Sequence, residues 1–551
     1  MTTFTGDSNH DTDVPVLIVG GGPAGLVAAA ELGHRGIRCL VVEPRTQVSH
    51  ARPRAKTTSI RTMEHLRRLG VAEELRAAAP LSVDWSQRVT FCDTLTGSAV
   101  VDFDGAFGLG ASSLELAAER GQQVGQPVLE DVLRGHLVGL DTVDLWWGAR
   151  VADLDIGPDQ ARAVVVTADG RRRTVTARFV LGCDGPSSAV REAIGASYVG
   201  RSDATSNFNV LLRSADLDTA LPPAVQYWVV GAPDSGVIGR LDHAGTWWAI
   251  LPGVDAERGA AQLTDLLHGL VGRPFGFEVI ATDSWTARML IADSFGAGCA
   301  FLVGDSAHLN PPWGGHGYNT AIGDAVNIAW KIAAVLQGWA GPEILHSYEV
   351  ERRPVVEQTV ALAETNMAKL PGRLDADAEQ IIAAKSAEFF SLGLVLGYSY
   401  AGSPIVQSVP GGATTGGDPD SAEYRPSTTP GARLPHHWLA DGSSLYDHLG
   451  PGLTLLVPDD RSSVDEFRSR CRDRGAPLRV TRLPADYPWA GEFLLVRPDQ
   501  HIAWRTDDPA SIDLDHLLGI SPSIPLVTRS QPCASPTSQT VLSSSRPTIA
   551  R

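Results

Sequence analysis

The sequence predicts an α/β fold that combines a parallel sheet and its helices with a second, mostly antiparallel sheet, and three stretches carry this prediction. Residues 14–43 have the pattern of a strand, a glycine-rich turn, a helix and a second strand. Residues 301–336 have that of a short apolar strand, a loop rich in Pro and Gly, and a long helix. Residues 200–285 alternate between apolar and polar side chains, which is typical of half-buried antiparallel strands. A chain of 551 residues has room for two or three domains.

The first stretch has the spacing of a dinucleotide-binding turn. A predicted strand, Val14–Val19, leads into Gly20, Gly22 and Gly25, which fit the pattern G-x-G-x-x-G and precede a helix. Glu43 ends the second strand eighteen residues after Gly25 (43 − 25), where a carboxylate can bind a ribose hydroxyl. This order of elements indicates a Rossmann-type unit for an adenine dinucleotide. NAD and FAD use the same turn, so the stretch leaves the choice between them open.

A basic loop, His50–Lys56, follows the acidic residue. Charge runs are often solvated loops, but Arg52 or Arg54 could reach a pyrophosphate from here, because arginine makes bidentate contacts with phosphate. Gln126 begins a later predicted helix and, on the residues alone, is equally well explained as a capping residue.

The stretch 301–336 is predicted to place a carboxylate close to the N-terminus of a helix. The apolar strand ends in Gly304-Asp305, and the helical period begins at about Asn319, after the loop 311–317. A helix N-terminus offers unpaired N–H groups and a partial positive charge, so it favours an anion or a group that becomes anionic. A plain strand, turn and helix is the alternative for this stretch taken alone.

Residues 180–191 repeat this arrangement. A strand ends in Asp184-Gly185, and a helix begins after Ser188. A polar turn closed by a capping serine would explain one such instance. Together with the glycine turn and Asp305, however, the repeat predicts that these strand ends surround one extended cofactor.

The alternating region is rich in aromatic residues, such as Tyr227-Trp228 and Trp247-Trp248. An aromatic sheet face is usually core, but it is also what encloses a planar organic molecule. The alternation by itself does not show which rings face a cavity.

Composition excludes several classes of function. A net charge of −17 argues against nucleic acid or an anionic membrane as partner. We expect no membrane span, because no segment has the required apolar length, and no secretory signal, because the first residues are polar and acidic. The six cysteines are scattered without a CxxC pair, which favours a reducing cytoplasm and no metal site.

With these motifs in place, the sequence resembles the single-component flavin aromatic hydroxylases, the group of para-hydroxybenzoate hydroxylase and phenol hydroxylase. The glycine turn with Glu43, the arginine loop, the Asp184-Gly185 turn and the Gly304-Asp305 stretch with its loop occur in the family's order between residues 14 and 340. The resemblance implies non-covalent FAD, with NADPH or NADH as reductant. It also implies a Rossmann-type (GR2-like) FAD-binding domain with an inserted antiparallel substrate domain.

The resemblance also implies roles for individual residues. Glu43 would hold the adenosine ribose, and Arg54 and Gln126 would lie near the pyrophosphate and ribityl chain. Asp305 would bind a ribityl hydroxyl, and N–H groups near Tyr318 would meet the flavin pyrimidine edge. The full predicted cofactor set is Gly20, Gly22, Pro23, Ala24, Gly25, Glu43, Pro44, Arg45, Arg52, Arg54, Gln126, Asp184, Gly185, Gly304, Asp305, Pro312, Gly315, Gly317, Tyr318 and Asn319.

Fewer residues can be assigned to the substrate and the reaction. The predicted substrate residues are Gln226, Trp228, Trp247, Pro311 and Trp313, and the predicted catalytic residues are Pro312, Gly314 and His316. His316 and Trp313 depart from the family, which more often has Gln or Lys and a small residue there, and His316 could be only a loop residue. The base that ionises a phenol is not assigned; Tyr227, Asp242 and His243 are candidates.

Residues 13–85, 116–195 and 286–365 are predicted to form the FAD-binding domain, and residues 86–115 and 196–285 the substrate domain. Residues 366–429 are predicted to be a helical connector and linker, and residues 521–551 a disordered tail rich in Ser, Thr and Pro. Residues 430–520 resemble the thioredoxin-like domain of the larger hydroxylases. They contain Cys471 without a CxxC pair, so we expect no redox role.

The predicted function is an FAD-dependent monooxygenase that uses NAD(P)H and O2 to hydroxylate a phenolic or polyketide aromatic, through the flavin C4a-hydroperoxide of the family. The alternative with the same flavin is Baeyer–Villiger oxygenation or epoxidation of a polycyclic ketone or quinone. Outside this chemistry, an NAD-dependent dehydrogenase or a flavin-binding interaction protein remains open. The expected partners are a small aromatic substrate and O2, and a homodimer is left open.

Overall fold

The structure is a computed structural model that describes residues 12–231, 235–369, 377–408, 422–458, 463–489 and 491–520. The predicted disordered tail, 521–551, and residues 370–376 and 409–421 of the predicted connector and linker lie outside these residues. The helices are α1 (Pro23–His34), α2 (Ile60–Arg68), α3 (Ala72–Ala78), α4 (Gln126–Val138), α5 (Ala189–Ala193), α6 (Ala215–Ala220), α7 (Ala256–Val271), α8 (Gly317–Leu336), α9 (Ser347–Ala368), α10 (Ala378–Phe389), α11 (Leu392–Gly397), α12 (Ser463–Asp473) and α13 (Leu514–Leu517). The strands are β1 (Thr12–Val19), β2 (Cys39–Glu43), β3 (Thr57–Thr58), β4 (Val89–Cys92), β5 (Ala99–Phe103), β6 (Gln122–Gln123), β7 (Val143–Trp147), β8 (Arg150–Ile156), β9 (Ala161–Val166), β10 (Arg172–Gly182), β11 (Tyr198–Arg213), β12 (Gln226–Val229), β13 (Gly236–Arg240), β14 (Thr246–Pro252), β15 (Glu278–Ala292), β16 (Gly296–Ala297), β17 (Ala300–Leu302), β18 (His308–Leu309), β19 (Leu453–Val457), β20 (Leu478–Arg482), β21 (Phe493–Val496) and β22 (Ile502–Thr506).

The first sheet has the strand order β16-β17-β10-β1-β2-β7, with β17, β10, β1, β2 and β7 parallel. β1 and β2 are apolar along their length, as expected for strands that helices cover on both faces. In a parallel sheet, the carboxyl ends of the strands lie at one edge. The ends of β1, β2, β10 and β17 therefore bring the glycine turn, Glu43, Asp184 and Asp305 to the same edge, as the sequence predicts.

The second sheet has the order β18-β15-β11-β14-β13-β12-β4-β5 and is antiparallel except between β12 and β4. One face packs on α7 and includes Tyr227, Ile238 and Trp247 in a separate apolar core. The alternate residues, among them Trp228 and Trp248, face the other way, toward the first sheet and its helices. The sheet thus forms a wall beside the edge of the first sheet.

The C-terminal unit has the sheet order β20-β19-β21-β22, in which β19 and β20 are parallel and the other pairs antiparallel. A β-α-β unit followed by a hairpin and a helix is consistent with the predicted thioredoxin-like architecture. Cys471 in this unit is buried and free, and burial raises the pKa of its thiol to about 12.

A buried ionic network joins this unit to α8 and α9. Arg497 donates to Glu351 on α9 at 2.6 Å and to Asp499 at 2.6 Å, and Lys331 on α8 donates to Glu351 at 2.7 Å. Trp330 also donates to Asp499, at 3.2 Å. Each charge has an opposite charge within hydrogen-bonding distance, as a buried ion needs. The network therefore fixes the helix whose N-terminus enters the predicted site.

Within the described residues, one helical stretch, Ala378–Gly397, is long and apolar enough to cross a bilayer, with a hydropathy of 1.2. It consists of α10 and α11, which are separate helices, and 44% of it is buried in the protein. It carries the ion pair Lys385–Glu388 at 2.7 Å, and Phe389 is fully buried among aromatic rings. Core helices pass the same test, so the stretch is no convincing membrane span.

Candidate active site

A cavity of about 1030 Å³ lies between the carboxyl edge of the first sheet and the aromatic face of the second. Most of the predicted site residues line it. They are Gly20, Gly22, Pro23, Ala24, Glu43, Pro44, Arg45, Arg52, Arg54, Gln126, Asp184, Gly185, Gln226, Trp228, Asp305, Pro312, Trp313, Gly314, Gly315, Gly317 and Tyr318. Residues separated by almost 300 positions in the sequence thus surround one space.

The three motif glycines of the turn between β1 and α1 have different structural roles. Gly20 has a φ of +108°, and a Cβ there would overlap the carbonyl of Cys183. A Cβ at Gly25 would overlap the carbonyl of Gly20, so this glycine allows the helix to pack on the strand. A Cβ at Gly22 meets no protein atom within 4 Å and would project into open space. Among the described residues, the N–H groups of Ala24 and Gly25 have no partner, so the turn can receive a phosphate.

Glu43 is buried at the end of β2 and accepts three hydrogen bonds. The donors are the N–H of Gly21 at 2.7 Å, the N–H of Arg45 at 2.9 Å and its Nε at 2.7 Å. Burial alone would raise the pKa of this carboxyl, but the hydrogen bonds from Arg45 and Gly21 lower it overall, so Glu43 is ionised. A carboxylate has about four acceptor positions, which leaves one for a ligand hydroxyl.

Arg45 and Gln126 both bond to Glu130 on α4. Arg45 Nη1 donates to one carboxylate oxygen at 3.0 Å, and Gln126 Nε2 donates to the other at 2.8 Å. Gln126 is therefore more than a helix cap. Its side chain is held at the cavity wall by its amide nitrogen, which leaves the amide oxygen for a ligand.

The two arginines of the basic loop differ in their partners. Arg52 Nη2 donates to Asp283 of β15 at 3.1 Å, so it ties the loop to the second sheet at the protein surface. Arg54 is exposed and makes no side-chain hydrogen bond within the described part of the chain. Its charge acts on Asp305, since it helps to lower the pKa of that carboxyl. Of the two, Arg54 is the one available to an anionic ligand.

Asp184 and Asp305 lie at neighbouring strand ends but are used differently. Asp184 accepts from the N–H of Ala189 at 2.7 Å and from Ser306 Oγ at 3.0 Å, so it fixes the turn before α5. The carboxylate of Asp305 accepts no hydrogen bond from the residues that the structure describes. Burial raises its pKa, and His308 and Arg54 only partly offset this effect. A ligand hydroxyl would satisfy the carboxylate.

Asp324 on α8 holds the backbone of this strand end in place. It accepts from the N–H of Gly304 at 3.2 Å, from His308 at 2.7 Å and from Arg352 at 2.7 Å. Gly304 has a φ of +64°, and a Cβ there would lie 2.7 Å from the side chain of Ala321. The glycine therefore allows the strand end to approach the helix, which places Asp305 next to the N-terminus of α8.

α8 begins at Gly317, two residues before the predicted start at Asn319 (319 − 317), because the turn at Gly314 and Gly315, with φ values of +97° and +72°, already directs the chain into the helix. Within the described residues, the N–H groups of Gly317, Tyr318 and Asn319 have no hydrogen-bond acceptor. Gly317 and Tyr318 line the cavity, so these N–H groups form a positive end for a bound group.

Six predicted site residues do not line the cavity: Gly25, Gly304, Trp247, Pro311, His316 and Asn319. The two glycines shape the backbone, and Pro311 is buried beside Pro312. The side chain of Asn319 bonds to Ser59 and Thr62 on the adjoining α2 and its cap. His316 is buried against the Cα of Gly314, and burial lowers the pKa of its ring to about 4.

The prediction for Trp247 is wrong by one residue. Trp247 lies in the core beneath the sheet, where its Nε1 donates to Asp218 at 2.9 Å. Trp248 lines the cavity instead, because successive side chains of a strand point to opposite faces. The sequence shows the alternation, but it does not show which of the two tryptophans faces the cavity.

Sequence reasoning also missed four charged residues of the cavity wall, Lys56, Glu130, Arg150 and Glu388. Lys56, quoted only as part of the basic loop, lies over the ring of Trp248, with its Nζ 4.3 Å from the ring centroid. Glu388 comes from α10, in the predicted connector, and pairs with Lys385 at 2.7 Å. No local motif marks Lys56 or Glu388, because both reach the cavity only through tertiary packing.

The residues of the cavity edge fit FAD. The space above Gly22 and the free N–H groups of α1 suit a pyrophosphate, the unbonded carboxylate of Asp305 suits a ribityl hydroxyl, and the N-terminus of α8 suits the flavin ring. No group of three or more His, Cys, Asp or Glu residues within the described ranges could hold a metal. The fold and the site therefore define a nucleotide-binding α/β enzyme with an aromatic cavity.

The family models give the class. The FAD binding domain model matches residues 13–363, and the model for the C-terminal domain of aromatic-ring hydroxylases matches residues 427–519. The chain belongs to the family of FAD-dependent aromatic-ring hydroxylases, and FAD is its cofactor.

The chain is similar along nearly its whole length to characterised proteins. It is 31% identical to tetracenomycin B2 monooxygenase-dioxygenase of Streptomyces olivaceus, over 90% of this chain and 96% of that one. The structure of the rebeccamycin biosynthetic enzyme RebC with reduced flavin superposes with a TM-score of 0.83 at 31% identity, over 93% of this chain and 100% of that one. A ternary complex of aklavinone-11 hydroxylase with FAD and aklavinone has a TM-score of 0.81 at 27% identity, over 93% and 98% of the two chains.

Proposed function

We propose that this enzyme uses NAD(P)H and O2 to hydroxylate a polycyclic phenol of the aromatic polyketide type. The observation that carries the proposal is one continuous cavity, with the dinucleotide turn at one end and Trp228, Trp248 and Trp313 at the other. Its volume of about 1030 Å³ is at the upper end of ordinary ligand pockets, of about 300–1,000 Å³. This is enough for part of a dinucleotide and a fused-ring substrate.

Bound FAD supplies the redox chemistry, accepting electrons from the nicotinamide and activating oxygen. The protein's own contribution is electrostatic and steric. The free N–H groups of Gly317 and Tyr318 stabilise negative charge that develops at the bound ring, because they are already oriented and require no rearrangement. Arg54 and Asp305 orient the chain that joins the two ends of the cofactor, and Glu43 binds the adenosine ribose.

Aromatic packing excludes water from the other end of the cavity. The ring of Trp228 is stacked on Phe91, with centroids 5.3 Å apart, and Trp313 and Phe389 contact it at 5.9 and 5.8 Å. Water at this position would promote loss of the activated oxygen as hydrogen peroxide, so the packed rings protect the hydroxylation step. The loop 312–315 lies between this cluster and the N-terminus of α8, where it would contact both cofactor and substrate.

The names of the similar proteins favour a polycyclic substrate. One acts on tetracenomycin B2, and another binds aklavinone together with FAD. The alternative reactions with the same cofactor are oxygen insertion beside a ketone and epoxidation. The identity of the product distinguishes hydroxylation from these two reactions.

Location and assembly belong to the same proposal. We place the enzyme in the cytoplasm because the cysteines at 39, 92, 183, 299 and 471 are free and mostly buried, as in a reducing compartment. We propose that nucleic acid is not a partner, because the acidic chain repels a polyanion, and we leave a homodimer open.

The experiment is to purify the yellow holoprotein and to measure NADPH and NADH oxidation with phenols, hydroxyquinones and polycyclic ketones of increasing size. We expect a hydroxylated quinone or naphthol to stimulate oxidation and to gain one oxygen-18 atom from labelled O2 on a ring carbon. Oxidation that no aromatic compound stimulates would overturn the proposal. A lactone or epoxide as product would establish the alternative reaction.

A further inference from the structure

Lys56 is fixed at the boundary between the two halves of the cavity. Its carbonyl accepts a hydrogen bond from the N–H of Val124 at 2.9 Å, and the next residue, Thr57, pairs with Gln123 in the short sheet of β3 and β6. The backbone that carries this lysine is therefore held by hydrogen bonds on the side of the first domain. Its side chain extends across to the second sheet.

The ammonium of Lys56 lies over one face of Trp248, with its Nζ 4.3 Å from the ring centroid. The indole also packs against Gly239 on β13, where a Cβ would lie 2.8 Å from the ring. The absence of a side chain at Gly239 therefore leaves room for the ring. A cation over an indole is attracted to the electron-rich face of the ring, which favours the ammonium at this place.

Lys56 is half-buried in the cavity wall and has no counter-ion among the described residues. No carboxylate pairs with its ammonium there, and loss of contact with water lowers its pKa to about 8. Asp283 and Arg54 line a small cavity together with Lys56, but Asp283 pairs with Arg52 at 3.1 Å and Arg54 is itself a cation. Glu388 of the main cavity pairs with Lys385 at 2.7 Å. An unpaired charge partly removed from water is costly, so an anionic ligand at this position would be favoured.

Lys385 shows that the missing partner is particular to Lys56. Its Nζ lies 4.1 Å from the centroid of Trp228, so both lysines contact a tryptophan of the cavity wall. Lys385, however, is neutralised by Glu388 from its own helix. The two lysines have the same chemistry and similar surroundings, but only Lys56 has a charge available to a ligand.

We propose that Lys56 determines substrate specificity by binding an acidic oxygen of the substrate, a phenolate or an enolate, while the substrate ring stacks along Trp248. This inference rests on the proposed function, since it names the substrate group that the site recognises. The ammonium favours the anion, so the bound hydroxyl releases its proton to solvent at a lower pH than in free solution. The resulting ring is electron-rich, as hydroxylation requires, without a separate carboxylate base.

The test uses alizarin, a hydroxylated anthraquinone whose colour changes from yellow to red on ionisation, and the oxidised holoenzyme without nicotinamide. Difference spectra across a pH series give both its affinity and its pKa when bound. With the native enzyme, we expect the bound pKa to fall by about one unit or more, as an opposite charge at contact produces. Lys56→Met should abolish this fall and weaken binding about tenfold, whereas Lys56→Arg should keep it.

The pH dependence gives a second readout. Alizarin should bind the native enzyme less tightly above pH 8, because the pKa of Lys56 is about 8 and its charge is lost there. Lys56→Arg should bind alizarin equally well above that pH, because a guanidinium remains charged. Lys369→Met, which removes a lysine that does not line the cavity, should behave as the native enzyme does. The dimethyl ether of alizarin should bind the native enzyme and Lys56→Met equally.

Three results would overturn the inference: no binding of alizarin to the native holoenzyme, binding with its solution pKa, or equal binding by Lys56→Met. FAD content, read from the flavin absorbance, shows that each variant is folded. The oxidation assay with the aromatic panel is independent of this measurement. If aromatics stimulate oxidation but alizarin shows no shift, the role of Lys56 fails while the proposed function stands.

Discussion

The two ends of the cavity are built from different parts of the polypeptide. At the dinucleotide end, backbone forms an essential part of the wall, through the turn at Gly22 and the free N–H groups of two helices, beside the side chains of Glu43, Arg54, Gln126 and Asp305. At the aromatic end, the wall is side chains from strands of the second sheet, from the basic loop and from α10. Backbone can bind a phosphate or a flavin edge in only a few geometries, whereas a side-chain wall can be exchanged residue by residue.

This difference indicates where the enzyme can change and where it cannot. A side chain added to the glycine turn blocks the cofactor whatever the substrate is. A changed tryptophan or lysine at the other end changes only which aromatic compound is accepted. Substitutions at the first end should therefore act on FAD, and those at the second end on substrate.

The largest effect is expected from Gly22→Leu. A Cβ at this position meets no protein atom within 4 Å, so the fold should be retained, but the side chain fills the space above the turn, and FAD affinity should fall roughly a hundredfold or more. Flavin fluorescence titration of the apoprotein measures the affinity. Gly135→Ala, in the exposed face of α4, is the matched control and should stabilise the helix by about 0.5–1 kcal/mol without changing FAD binding. Normal flavin content in Gly22→Leu would contradict our placement of the pyrophosphate.

Trp247→Ala and Trp248→Ala test the two faces of one strand. Trp247 is buried in the core beneath the sheet, so its removal should lower the free energy of unfolding by about 3–5 kcal/mol, measured by urea denaturation. Trp248 borders an existing cavity, so its loss should cost less stability. It should, however, weaken aromatic binding several-fold, since ring stacking is worth about 0.5–1.5 kcal/mol. The reverse ranking would mean that the faces are exchanged.

Asp305→Ala and Asp184→Ala compare two carboxylates at neighbouring strand ends. Without Asp305, FAD should bind about tenfold more weakly, because a hydrogen bond to a charged group contributes about 1.5–3 kcal/mol. The apoprotein should remain equally stable, because the described residues make no hydrogen bond to this carboxylate. Asp184→Ala should instead destabilise the fold by about 1 kcal/mol, since it removes the acceptor for Ala189 and Ser306. Thermal melts of both apoproteins measure the two changes in stability. Unchanged flavin retention in Asp305→Ala would contradict the predicted role of Asp305.

The smallest effect on activity is expected from His316→Asn. Burial lowers the pKa of His316 to about 4, so its ring is neutral over the whole neutral range and the pH profile of kcat/KM should not change there. Because the folded state resists protonation of this ring, the native protein should lose stability as the pH falls from 6.5 towards about 4, and the variant should lose less. If an ionisation near neutral pH disappeared from the kcat/KM profile of His316→Asn, His316 would again be a candidate catalytic residue.

Sequence reasoning placed Gly20, Gly22 and Glu43 in one unit of about thirty residues, and the structure has all three at the cavity wall, because local spacing describes such a unit. Their contacts with FAD stay a prediction. Trp248, by contrast, was missed because a strand pattern gives a period of two but not its phase, and a shift of one residue exchanges the faces. Lys56 and Glu388 were missed because each is ordinary in its own segment and becomes part of the site only through distant packing.

The sequence by itself determined the class of fold and the sheet edge at which the glycine turn, Glu43, Asp184 and Asp305 meet, because glycines, strand ends and helix starts act over a few neighbouring residues. FAD followed from the resemblance to a family, since the glycine turn alone fits NAD equally well. Tertiary structure alone decided which rings enclose the substrate and which lysine retains a free charge. The reason is physical: a side chain's burial, partners and pKa depend on whatever packs against it, and those groups come from strands and helices that are far apart in the chain.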